Sequence, residues 1–107
     1  YFFARGTKTC VVTLGSKGSF FRRAGEKGAY VKNIDGEKPI DFTGAGDSFG
    51  AGLMVSLSRG KEIGDALLYG NALASIVIEK TGGCVWERMP SNERIMKRIE
   101  LGKGRNN

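Results

Sequence analysis

The segment from Asp41 to Gly52, Asp-Phe-Thr-Gly-Ala-Gly-Asp-Ser-Phe-Gly-Ala-Gly, constrains this chain more than any other feature. Glycines at 44 and 46 free the backbone to fold so that successive N–H groups point into one concavity suited to an anion. The apolar period then changes. Phe49, Leu53 and Leu57 lie four apart, with Met54 on a neighbouring position, which predicts a helix from about Asp47 to near Gly60. That helix aims its positive end at the same concavity. Asp47 stands at its start. A plain phosphate site gains nothing from a carboxylate there, whereas phosphoryl transfer needs a group to accept the proton of the attacking hydroxyl. The competing reading is that Asp47 only caps the helix. Gly50 and Gly52 weigh against it: each costs about 1 kcal/mol in a helix interior, so a close neighbour is expected.

The flanking sequence supplies the frame. Thr9 to Leu14 is rich in β-branched residues and stops at Gly15, which predicts a buried strand followed by a turn through Gly18. Ser19 to Arg23 and Ala29 to Ile34 read as two more strands around a Gly25–Gly28 turn. Beyond the glycine loop, Ile63 to Lys80 reads as a helix that is apolar nearly all round and expects cover from several directions. Gly82-Gly83 ends it. Ser91 is placed to cap a last helix with Ile95 and Ile99 as its apolar stripe. Strands, then a glycine loop feeding a helix, then two further helices, describe an α/β chain that is the tail of a larger sheet. No repeat or linker divides it, so residues 1–107 read as a single partial domain.

Asp-x-Thr-Gly-Ala-Gly-Asp-x-Phe-x-x-Gly resembles the second signature of the ribokinase-like (PfkB-type) carbohydrate kinases. Thr13-Leu14-Gly15-Ser16-Lys17-Gly18 is similar to that family's Thr-Leu-Gly-x-x-Gly strand and turn, Asn71-Ala72 to its adenine-side pair, and Lys80-Thr81-Gly82-Gly83 to the loop closing its monovalent-cation site. The resemblance runs from about Thr9 to Ile99. It implies the C-terminal part of a three-layer α/β/α sandwich that moves the γ-phosphoryl of ATP to a hydroxyl of a sugar or nucleoside. Asp47 would be the base, and the N–H groups of Gly44, Ala45 and Gly46 the anion hole. Thr13, Gly15, Ser16 and Gly18 would flank ATP, accompanied by Mg²⁺, with Asn71 beside the adenine. Asp41 and Thr43, with backbone carbonyls near Val77, Lys80 and Gly82, would hold a potassium ion. Trp86 departs from the family, which often has a Ser ligand there, and this puts the potassium requirement in question. The family's sugar pocket, most of its central sheet and its β lid belong to an N-terminal part without counterpart here.

The bulk properties exclude other classes. The net charge of +6 suggests nucleic acid, but the excess gathers near the ends and no basic stripe interleaves with aromatics, so no nucleic-acid partner is expected. With no histidine and only Cys10 and Cys84, a disulfide framework and every histidine-dependent mechanism fall away. No leader and no run of about 18 apolar residues is visible, so no membrane partner and a cytoplasmic location are expected. The absence of an initial Met suggests a fragment. The alternative to an enzyme is accordingly a non-catalytic nucleotide-binding or interaction module, and the isolated chain is expected to be inactive and to associate with itself or with the missing N-terminal part.

Overall fold

The structure is a computed structural model that describes residues 1–34, 40, 42–79 and 89–105. It divides into two compact units, Tyr1–Asn33 and Ile34–Asn107.

The first unit is an antiparallel sheet in the order β1-β2-β3, formed by β1 (Thr9–Thr13), β2 (Ser19–Arg23) and β3 (Ala29–Val31). Thr9 pairs with Arg23 and Thr13 with Ser19, and Ser19 in turn faces Val31. β-branched residues at 9, 11, 12 and 13 favour the pleated backbone of β1. A short 3-10 turn, Gly15–Lys17, joins β1 to β2, closed by the Leu14 N–H donating to the Gly18 carbonyl at 2.8 Å. Gly18 has φ +97°, and a β-carbon there would stand 2.2 Å from the Val31 carbonyl oxygen, so only glycine fits.

The second unit is helical: α1 (Ala45–Ser58), α2 (Ile63–Val77) and α3 (Asn92–Arg105). Its core gathers Leu73, Ile76 and Val77 of α2, Ile95 and Ile99 of α3, and Ile34. α1 packs on α2 at two glycines. A β-carbon on Gly52 would lie 3.0 Å from the Gly70 Cα, and one on Gly70 would lie 2.8 Å from the Phe49 carbonyl oxygen. The close neighbour expected of Gly52 is thus present, whereas Gly50 faces open space. Ten of the fifteen residues of α2 are buried, which meets the expectation of cover from several sides. Ser91 caps α3, its hydroxyl accepting from the Arg94 N–H at 3.2 Å.

Three element boundaries differ from the sequence reading. The third strand stops at Val31, because Ile34 joins the helical core instead of the sheet. α1 begins at Ala45, so the end of the glycine loop is already the first helical turn. α2 closes at Val77, followed by Ile78 as its C-cap. Among the described residues, no helix is long and apolar enough to cross a membrane.

Candidate active site

Gly44 is the hinge at the start of α1. Its φ of +79° is left-handed, a conformation costly for any side chain, and it serves as the N-cap with no side-chain cap bond. The Ser48 N–H closes the first turn on the Gly44 carbonyl at 2.9 Å. Of the N–H groups assigned to an anion hole, that of Ala45 donates to the Phe42 carbonyl at 3.1 Å. The N–H groups of Gly46 and of Asp47 itself have no acceptor among the described residues, as the first turn of a helix dictates. The open donors therefore sit one step further along the chain than the glycine spacing suggested. Gly46 has an ordinary helical backbone and a β-carbon there would meet nothing within 4 Å; of the two loop glycines, only Gly44 needs glycine's freedom.

Asp47 is exposed at the third position of α1. Its carboxylate has no hydrogen-bond or ion-pair partner among the described residues, so it does not cap the helix by a side-chain bond. The positive end of the α1 dipole favours an anion beside the open N–H groups. A proton acceptor and an anion cradle thus share one helix end.

The remaining candidates fall into separate groups. Thr13, Gly15, Ser16 and Gly18 are brought together in the β1–β2 connection of the first unit. Asn71 is buried in α2, 5% exposed, between Gly70 at the α1 contact and Ala72 in the core; it is not a solvated helix polar. Phe49 is buried as a core residue, as its type suggested. Thr43 lies just before Gly44, and Val77 is the last residue of α2. Asp41, Lys80, Gly82 and Trp86 lie outside the described residues.

Two features escaped the sequence reading. The Ile40 N–H donates to the Ile78 carbonyl at 2.8 Å, tying the segment before α1 to the end of α2. Glu79, buried with its side chain 6% exposed, accepts from Arg98 at 3.1 Å and faces Arg94 at 3.6 Å. Arg98 also donates to the Ser75 hydroxyl at 3.1 Å, which donates in turn to the Ala72 carbonyl at 2.7 Å. The one signal for this network was the four-residue spacing of Arg94 and Arg98, which puts both on one face of α3.

The sequence pattern of the pfkB family carbohydrate kinases matches residues 2–88. The chain belongs to the PfkB family of carbohydrate kinases. A ribokinase of Arabidopsis thaliana is 34% identical to this PfkB-family chain over 96 residues, which cover 90% of the chain and 25% of the relative. A ribokinase of Haemophilus influenzae is 32% identical over 99 residues, covering 92% and 31%. Among solved structures, the nucleoside kinase of Methanocaldococcus jannaschii superposes with a TM-score of 0.80 at 35% identity, over 88% of this chain and 30% of that one. Arabidopsis ribokinase, complexed with ribose and ATP, gives 0.83 at 33% identity, over 92% and 31%. The expected α/β fold of ribokinase type is therefore that of this PfkB-family chain, which spans between a quarter and a third of the length of these relatives.

Proposed function

We propose that the protein to which this catalytic segment belongs transfers the γ-phosphoryl group of ATP to a hydroxyl of a sugar or nucleoside. One observation carries the reading: the unengaged carboxylate of Asp47 stands on the helix turn whose N–H groups, at Gly46 and Asp47, remain open. The Asp47 carboxylate takes the proton of the acceptor hydroxyl as its oxygen bonds to the γ-phosphorus. The bond from that phosphorus to the bridging oxygen breaks, and ADP leaves. The open N–H groups and the positive end of α1 hold the negative phosphoryl oxygens while this happens. Thr13, Gly15, Ser16 and Gly18 seat the nucleotide, with Asn71 on its adenine side. Names of relatives agree with this class: ribokinase, nucleoside kinase and 5-dehydro-2-deoxygluconokinase, each above 30% identity.

A ribokinase II of Escherichia coli, 28% identical, was solved with ATP and Mg²⁺. Here too Mg²⁺ would accompany the triphosphate and offset its charge. The family resemblance assigns a potassium ion to Asp41, Thr43, Val77, Lys80 and Gly82, and the negative end of the α2 dipole, at Val77, would favour a cation. It would add positive charge close to the anion-binding loop.

A panel of sugars and nucleosides, assayed for ATP-dependent phosphorylation with the complete protein, tests the proposal; phosphorylation of none of them refutes it. The second reading is a non-catalytic nucleotide-binding segment. ATP binding without turnover in the complete protein would establish it.

A further inference from the structure

A cavity of about 540 Å³ opens at the end of α1 remote from Asp47, within the helical unit. At 1.5 Å per helical residue it lies about 18 Å from the candidate base. Arg59 and Lys61, in the connection from α1 to α2, and Asp65, in the first turn of α2, line it on one side. Leu68, Met96 and the buried Ile99 supply its apolar lining. Tyr69 donates its hydroxyl to the Asn92 Oδ1 at 2.8 Å, and the Arg59 Nη1 approaches the same oxygen at 3.4 Å, which fixes the entry to α3 at the rim.

The charges here are not spent on the protein itself. The remaining N–H groups of Arg59 and the ammonium of Lys61 have no partner among the described residues, and no ion pair joins either to Asp65. Glu62, the N-cap of α2, forms no side-chain cap bond, so the positive end of that helix adds to the field. The volume falls in the usual range for small-molecule sites, which combine an apolar lining with a few convergent polar groups. A guanidinium fork and a point-charge ammonium together suit a dianionic phosphate better than a single carboxylate.

We propose that this cavity is a second ligand site, which takes a small phosphomonoester with an apolar ring face: the phosphate between Arg59 and Lys61, the ring over Leu68 and Met96. Asp65 offsets part of the positive charge and keeps the affinity modest.

Phenyl phosphate is a suitable probe, titrated calorimetrically into the protein with ATP saturating so that the nucleotide site is filled. Binding should weaken at least tenfold in the Arg59→Ala/Lys61→Ala double variant, whose altered side chains are both exposed. It should tighten several-fold in Asp65→Asn, a gain that misfolding cannot produce. Asp47→Asn should leave it unchanged, and inorganic phosphate, lacking the ring, should bind more weakly. No binding, equal affinity in the double variant, or loss of binding in Asp47→Asn would overturn the assignment.

Discussion

Gly52 of α1 and Gly70 of α2 meet across the helix pair, so that a β-carbon on Gly52 would stand 3.0 Å from the Gly70 Cα. Gly70 is the tighter of the two, since its own β-carbon would meet the Phe49 carbonyl oxygen at 2.8 Å. Backbone cannot swing aside as a side-chain tip can, so Gly70→Ala should destabilise the helical unit by about 1–3 kcal/mol. Gly50→Ala, which meets no atom within 4 Å, should instead stabilise it by up to about 1 kcal/mol. Urea unfolding of both variants checks the opposite signs.

If the proposed role holds, Asp47→Asn should lower turnover of the complete protein by about 10²–10⁴-fold and leave ATP affinity nearly unchanged, since it keeps size and polarity and removes only the proposed base. Steady-state kinetics beside ATP titration make the comparison. Near-normal turnover would remove Asp47 from that role.

The two loop glycines should fail differently. Gly44→Val forces a β-branched residue to a φ of +79° and should cost roughly 1–2 kcal/mol in stability. Gly46→Val meets no neighbour within 4 Å and should fold, yet places bulk beside the open N–H groups and should weaken ATP binding and rate together. Melting temperature and kinetics, measured on both, separate strain from obstruction.

Arg98 and Arg94 both face Glu79 but are not equal partners. Arg98 is 16% exposed in its side chain and Arg94 51%. Arg98→Met leaves a buried carboxylate without its nearer partner and should cost about 3–5 kcal/mol. Arg94→Met removes a solvent-screened contact and should cost about 1 kcal/mol or less. Equal losses in denaturant titrations would mean that burial does not govern this network.

The 107-residue chain by itself should phosphorylate no sugar and should sediment above the monomer mass. The face of α1 that begins at Asp47 continues through Ala51, Met54 and Val55, with Met54 65% exposed. Among the described residues β1 pairs only with β2, which leaves its other edge open. Both features favour association. A base without a pocket to orient the acceptor also forgoes a proximity advantage of roughly 7–11 kcal/mol. Analytical ultracentrifugation with a phosphorylation assay tests both halves, and an active monomer would contradict them.

What the sequence determined by itself was local. The glycine loop, the carboxylate at the helix start, the turn through Gly18 and three helical periods follow from backbone freedom and from spacing along one element, and the structure places each near its expected residues. The tertiary structure decided what lies across from each element. Periodicity shows that α2 is apolar nearly all round, but only packing reveals that α2 is largely covered while the face of α1 through Met54 and Val55 is exposed. Ile34 ends the predicted strand from Ala29, yet its side chain belongs to the helical core. Glu79 and Arg98 are 19 residues apart, and the Arg94–Arg98 spacing puts two cations on one face of α3 without naming their partner. Which N–H groups remain open depends on where the Phe42 carbonyl falls. In each case a contact between distant segments chooses among states that local propensity leaves nearly equal in energy.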